Sequence, residues 1–495
     1  MSMAEQAIDA DRSEDHRARR RIAANFLTLA GTSVAGLLVT ILVSVYVRRI
    51  MGPEAIGQVN WAMAVIGYLA VLATPGLAIV GQRDLARSPE STERRLSLVL
   101  TLQTLLAVAV YGGVLLFAWL EPRGRTTSLV LAVQGLNLFL TAWNITWVLQ
   151  AHERMVAPSL ATLAFNALQL PALLLLVDGP DDILAYVAIV LLCTLAGILW
   201  NVWYLTRRGI VRPAGLRPTL AGAIPMLREA RPLALSQLAI AATLNSGTVL
   251  LGFTDGDEAV GQFASAYRLM LVAAVVTAAL WNAYFPVLAR SVDDPDKAVA
   301  LSREYLGLLA WMGLPMAALG WALGRHVVAL LYGPAFAESG HYFEWLCLNI
   351  GLTFLNYGIV AILVPWGRGD LQFRIVAGAA VLNVAVNALA LPSFGAWGAV
   401  AATIASEFLA LVLGVTVRHR MAAFRHGFVS VVAAPLLCSM AIAAAIVALP
   451  ATLDAWWPLQ LAVGAAALLG CLILFEGRTL KHRWLSPAAG NRGDG

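Results

Sequence analysis

Lysine is almost missing from this chain: only Lys297, in "DPDKA", and Lys481, in "TLKHRW", occur. A phosphate-cradling G-x-x-x-x-G-K-[ST] loop needs a lysine at one fixed place, and neither residue completes it. The chain is therefore not its own ATPase. Cysteine is equally sparse. Cys193, Cys347, Cys438 and Cys471 stand singly inside apolar runs, and no C-x-x-C occurs, so neither a thiolate zinc site nor a disulfide framework is indicated. The seven histidines form no H-E-x-x-H. Long polar loops are also lacking. The longest, about 207–230, leaves no room for the sizeable outer loop or domain of a membrane glycosyltransferase or polymerase. The "DGD" at 255–257 reads as an acidic glycine turn rather than a D-x-D metal site. These absences describe a protein that is not an enzyme and calls for no cofactor.

Charge is scarce as well, at 13% of residues against 60% hydrophobic. A soluble protein could not cover so much apolar surface. Apolar runs long enough to cross a bilayer as helices of about 20 residues recur along the whole chain. There are fourteen: 22–46, 56–80, 96–120, 126–150, 156–177, 182–206, 231–253, 260–286, 301–325, 342–366, 372–392, 396–417, 427–450 and 455–475. They are numbered spans 1 to 14 in chain order. The runs are continuous rather than alternating, which predicts helices and not barrel strands. Residues 1–21 and 485–495 read as disordered tails.

The basic residues predict an orientation. With residues 1–21 in the cytoplasm and residues at span ends counted with the flanking segments, cytoplasmic segments hold 28 of the 34 Lys plus Arg, outer loops hold Arg48, Arg49, Arg123, Arg125 and Arg325, and only Arg268 lies deep inside a span. The positive-inside rule then places both termini in the cytoplasm. The net charge of +5 is accordingly a topology signal and implies no nucleic-acid partner.

The chain also repeats itself. "EAIGQVNWA" opens span 2 at Glu54, and "EAVGQFASA" opens span 8 at Glu258. Six spans separate the copies, so both enter the membrane from the same side. Such a parallel repeat, with its axis along the membrane normal, is a transporter architecture with substrate between the halves. The expected fold is an all-α integral membrane protein of about 14 transmembrane helices, with two parallel six-helix lobes and two extra C-terminal helices. Its parts are a cytoplasmic tail (1–21), an N-lobe (22–206), a cytoplasmic linker (207–230), a C-lobe (231–417), helices 13 and 14 (427–475) and a second tail (476–495). A weaker echo, "IMGPEAIG" (50–57) and "LYGPAFAES" (331–339), places Gly-Pro before the next span in both halves.

Five segments carry a resemblance: "YVRRIMGPEAIGQVNWAMAVIGYL" from Tyr46, "LATPGLAIVGQRDLAR" from Leu72, "EAVGQFASAYRLM" from Glu258, "LLYGPAFAESGHYFEWL" from Leu330 and "LNVAVNALALPSFGAWGAVAATIASE" from Leu382. The chain resembles the multidrug/oligosaccharidyl-lipid/polysaccharide exporter superfamily, in its bacterial polysaccharide (O-antigen type) flippase branch. The resemblance implies a bacterial cytoplasmic membrane protein. Its activity would be to turn polyprenyl-pyrophosphate-linked oligosaccharides from the cytoplasmic to the outer leaflet by alternating access. Implied partners are the lipid-linked oligosaccharide, membrane lipids, and the polysaccharide polymerase and glycosyltransferases. Lipid II flippases look similar too, with an Arg-Leu-Met where this chain has Arg268-Leu269-Met270. They also carry arginines in their first two helices, which spans 1 and 2 lack. A cation-coupled multidrug exporter of the same superfamily is the alternative from another cargo class.

Intramembrane charge suits an anionic cargo. Arg268 lies eight residues beyond Val260, about 12 Å into the membrane at 1.5 Å per residue. Exposed to lipid it would cost on the order of 3 kcal/mol. It must face water or a partner, and a pyrophosphate matches its guanidinium fork. The other reading is an ion pair with Glu407 of span 12, which is itself a candidate coupling site. Arg48 and Arg49 are candidates for binding the cargo phosphate as it leaves. Asn60, Asn144, Asn245 and Asn282, with Trp143 and Trp147, are candidate sugar contacts, although membrane Asn more often joins helices. Asn383 and Asn387, one turn apart, fit either role.

Overall fold

The computed structural model describes residues 3–421, apart from 122 and 155, and residues 428–447. It is all helical among the described residues, with twelve stretches long and apolar enough to cross a membrane. The first of these holds spans 1 and 2 on either side of a corner, so spans 1 to 13 each correspond to helix. Span 14, the second tail and Cys471 lie outside the described residues. The chain is a multi-pass membrane protein, and it divides into two compact units, residues 1–245 and 246–495.

The first unit opens with α1 (Met3–Ala73), which turns sharply at Gly52 (φ 74°, ψ 176°). That region of backbone space is open essentially to glycine alone. Pro53 follows, its fixed φ suited to restarting a helix. Helix already runs from Met3. Residues 3–21 hold no glycine or proline and include four alanines and five arginines, strong helix formers.

Span 2 ends at Ala73, earlier than its hydrophobicity suggests. Gly76 (φ 73°) breaks the helix, and α2 (Leu77–Arg87) starts anew with Leu77, Val80 and Leu85 buried on one face. A side chain at residue 76 would meet Leu233 at 2.8 Å, so only glycine allows α2 to sit this close. Then come α3 (Thr92–Leu120), a fourth span in three pieces, α4 (Arg125–Gly135), α5 (Asn137–Ala142) and α6 (Thr146–Ala151), and the helices α7 (Val156–Leu176) and α8 (Ile183–Arg207). The break at 143–145 is capped by Asn144, whose Oδ1 accepts from the Thr146 amide at 3.1 Å and from its hydroxyl.

Between α8 and α9 (Ala223–Thr254) the linker is not slack. Glu93, Ser97 and Thr101, spaced four apart on α3, accept the backbone amides of Arg212 (3.0 Å), Arg217 (3.2 Å) and Thr219 (3.2 Å). Helical spacing of three acceptors thus lays the linker along one stripe of α3. Salt bridges hold the same end of the unit: Arg83 to Asp84 (2.7 Å) and Glu229 (2.6 Å), and Arg95 to Asp84 (3.1 Å). Two acidic partners raise the affinity of the Arg83 guanidinium for its proton.

The second unit begins at Ser246 within α9. It continues with α10 (Gly256–Arg290), α11 (Pro295–Tyr332), α12 (Ala337–Ile359), α13 (Gly369–Phe394), α14 (Ala396–Arg420) and α15 (Phe428–Val447). α12 is its most buried helix. Glycines let α11 and α12 approach closely: Gly313 faces Phe354, Gly320 faces Cys347 and Gly358 faces Leu306. Small residues at such interfaces are how helices pack in lipid, where no hydrophobic drive joins them.

The second Gly-Pro turn repeats the first in conformation as well as in letters, with Gly333 at φ 86° and ψ 179°. The buried Gln262 of "EAVGQ" then ties this turn to α10. Its amide donates to the Ala335 carbonyl at 2.8 Å and its Oε1 accepts from the Ser339 amide at 3.0 Å. In the second half, therefore, the repeated glutamine is a fastening between helices.

Candidate functional site: a guanidinium and a carboxylate in the second unit

α10 carries Tyr267 and Arg268, α12 carries Asn356, and α14 carries Glu407. Successive residues of a helix point about 100° apart. Tyr267 lies within the field of the Glu407 carboxylate, and Arg268 is turned away from it and exposed. The Arg268–Glu407 ion pair is not formed. The Arg268 side chain makes no ion pair or hydrogen bond among the described residues. Glu407 is held instead by Asn356, whose Nδ2 donates to both the carboxylate and, at 2.9 Å, the Glu407 main-chain oxygen. The Asn356 Oδ1 is buried and lacks a hydrogen-bond partner.

Arg268 is not the sole arginine within a helix, because α11 and α14 outrun the spans read from hydrophobicity. Arg325 lies inside α11, its Nε donating to Glu344 of α12. Arg418 is buried near the end of α14 and donates to Ser302 Oγ at 3.0 Å and to the Gly358 carbonyl at 3.4 Å. Both have protein partners. Arg268 has none and lies well inside α10 rather than near a helix end, and an unpaired cation so deep in a membrane-spanning helix is a functional signal.

The Asn383–Asn387 pair is buried and joins helices. Asn383 Oδ1 accepts from Ser246 (2.9 Å) and from Asn387 (3.0 Å), and its amide donates to Ser406 (3.2 Å). This buried network joins α9, α13 and α14. Neutral side chains here supply most of one another's partners, while the Asn387 Oδ1 is buried without one.

The remaining candidates are placed as follows. Arg48 is buried and donates to its own-helix Ser44, at 3.3 Å to the carbonyl, while Arg49 is exposed. Asn60 donates to Ile56 O (2.7 Å) and Asn245 to Ala241 O (3.0 Å), each within its own helix. Asn282 is exposed and makes no hydrogen bond among the described residues. Trp147 is buried against Gly81, whereas Trp143 is half exposed and donates to Thr104 Oγ1 at 3.0 Å. None of these residues joins Arg268 in one cluster within its unit.

One arrangement escaped the sequence reading. The Arg123 guanidinium stacks 3.3 Å from the centre of the fully buried Trp61 ring, and its Nε donates to Glu121 at 2.8 Å. Arg123 follows Glu121 closely in sequence, but nothing in the letters tied it to Trp61. Chemically, the second unit offers an unpaired guanidinium well inside α10, able to meet an anion, and, turned away from it, a carboxylate on α14.

Comparison with solved structures places the fold. The lipid II flippase MurJ in an inward closed conformation is 12% identical and superposes with a TM-score of 0.74 over 92% of this chain and 100% of that one. An inward-facing multidrug resistance MATE family transporter of the MOP superfamily is 16% identical, with a TM-score of 0.61 over 79% and 95%. Among curated proteins, the "Putative O-antigen transporter" of Shigella dysenteriae is 23% identical over 78% of this chain and 97% of its own length. The capsular polysaccharide biosynthesis protein CapF of Staphylococcus aureus is 20% identical over the same shares. The sequence profile of one family covers residues 22–292, more than half of the chain, and that match makes the protein a member of the polysaccharide biosynthesis protein family.

Proposed function

We propose that the protein is a flippase for polyprenyl-pyrophosphate-linked oligosaccharide repeat units, the precursors of O-antigen, capsule or exopolysaccharide. It would carry the headgroup from the cytoplasmic to the outer leaflet by alternating access. The family and the curated relatives supply the cargo class. The observation that carries the mechanism is Arg268, exposed and unpaired about 18 Å along α10 from Gly256. A guanidinium so placed is matched by a pyrophosphate, which accepts its fork of N–H donors bidentately.

Both termini lie in the cytoplasm of a bacterium in this reading, which the distribution of basic residues supports. Without a P-loop, transport draws on an ion gradient, the membrane potential or the cargo gradient. Glu407 is the candidate for the coupling proton. Polymerase and glycosyltransferases are the expected neighbours in the pathway.

The test is Arg268→Ala and Arg268→Lys in a strain whose surface glycan depends on this protein. Because Arg268 has no protein partner, Ala should leave expression and folding intact and abolish most export. Lys keeps the charge without the fork and should restore part of it. Full export by the Ala variant overturns the assignment. Protection from toxic organic cations, with glycan unaffected by deletion, would instead indicate a drug exporter.

A further inference from the structure

Inside the first unit lies a cavity of about 560 Å3, bounded by α3, the α5–α6 break, the end of α8 and the docked linker. That volume falls within the roughly 300–1,000 Å3 range of small-molecule sites. Its walls are almost wholly apolar, with Leu100, Leu105, Trp143, Val202 and Leu216 among them. The hydroxyls that reach it are already engaged. Ser97 accepts the Arg217 amide, Thr101 the Thr219 amide, Thr104 the Trp143 indole N–H, and Thr206 donates to the Trp203 carbonyl at 2.8 Å. A sugar would find few free partners here, whereas a hydrocarbon chain would find surface to cover.

Two further facts narrow the occupant. The walls belong to α3 and α8, both membrane-spanning, and Leu105, Trp143 and Val202 are exposed, so the cavity lies at membrane depth. At its other side Arg217 is the one charged lining residue. Its backbone is pinned to α3, and its exposed guanidinium makes no ion pair or hydrogen bond among the described residues. An apolar chamber lined by one unpaired cation matches a molecule with a long hydrocarbon and one anionic phosphate. The exposed Arg207, Arg208 and Arg212 add positive charge in the adjoining linker, as at an anionic membrane surface.

We propose that this cavity is a binding site for an anionic glycerophospholipid of the cytoplasmic leaflet. One acyl chain lies against α3 and Leu216, and the phosphate lies on the Arg217 guanidinium. Because the linker forms one wall, the lipid props it in place along α3. The site belongs to the first unit and Arg268 to the second, and the inference does not depend on what the protein transports.

Native mass spectrometry of the full-length protein in mild detergent tests this, with phosphatidylglycerol and phosphatidylcholine titrated in parallel. The wild type should bind one phosphatidylglycerol at least tenfold more tightly than phosphatidylcholine. Arg217→Glu should remove that preference. Leu105→Trp, at an exposed position that does not threaten the fold, should weaken both lipids by narrowing the cavity. Phosphatidylglycerol binding unchanged in both variants would overturn the proposal. So would a polyprenyl phosphate that displaces phosphatidylglycerol at equal concentration and is weakened by the same variants, because the occupant would then be a cargo-type lipid.

Discussion

Replacing Gly313 with alanine adds one methyl group at a tight contact between α11 and α12. The new Cβ would lie 2.4 Å from the Phe354 Cβ and 2.5 Å from its Cγ, where ordinary contacts are 3.4–4 Å. The offending atoms are at the root of a fully buried ring, not at the tip of a flexible chain, so the helices themselves must part by about 1 Å. Overpacking of this kind costs about 1–3 kcal/mol, and the rigid root puts this case at the upper end. Alanine's better helix propensity returns about 1 kcal/mol. The net loss is about 2 kcal/mol, roughly a thirty-fold fall in the folded-to-unfolded ratio. Gly378→Ala is the matched control, since its nearest neighbour is Leu413 at 4.0 Å, and it should stabilise by up to about 1 kcal/mol. Both can be read by reversible unfolding in detergent mixtures. Adding Phe354→Leu to Gly313→Ala should cost less than the sum of the single changes, because the two share one contact. A Gly313→Ala protein as stable as Gly378→Ala, or an additive Gly313–Phe354 pair, would refute the steric account.

Single-cysteine labelling with an impermeant reagent, in a background lacking the four native cysteines, should modify residue 255 from outside the cell and residue 220 only after permeabilisation; the reverse pattern would invert the orientation. Glu407→Gln keeps an acceptor for Asn356 and should express normally, while flattening the pH dependence of export if the carboxylate carries the coupling proton; an unchanged profile leaves Glu407 structural. His152, in the turn after α6, lies 3.1 Å from Thr92 Oγ1, and burial, then Arg154, lower its pKa below the usual value near 6.5. Below pH about 6.5 the unfolded chain takes up this proton and the folded chain resists it, so stability should decline as pH drops further. His152→Gln should remove that part of the decline in melting temperature, and a variant with the wild-type slope would refute it.

The positions of spans were readable because lipid forces every backbone group into a helix, so that run length alone marks them. Hydrophobicity does not mark their ends. α2 is amphipathic and merges with span 2 in the hydrophobic pattern, and α11 carries Arg325 beyond the apolar run because Glu344 of a neighbouring helix neutralises it. The Gly-Pro words at 52 and 333 did announce structure, since few residues other than glycine adopt that conformation. Arg268 was conspicuous as a charge in an apolar run, but whether it met Glu407 depended on the rotation of α10 against α14, which no spacing within either segment encodes. The stacking of Arg123 on Trp61, and of the linker on α3, joins residues far apart in the chain. Only the packed helices bring those together.

The docked linker bears on how this protein could be engineered. Residues 208–222 form the longest connection between helices among the described residues, and would be the first choice for inserting a reporter or dividing the chain into two co-expressed halves. Tolerance to such cuts follows from how the backbone is bonded, not from loop length. Here three main-chain amides are already spoken for at four-residue intervals along α3. A cassette placed among them would peel the segment off its helix, while one at the Gly209 turn, ahead of the first fastening, would leave all three bonds in place.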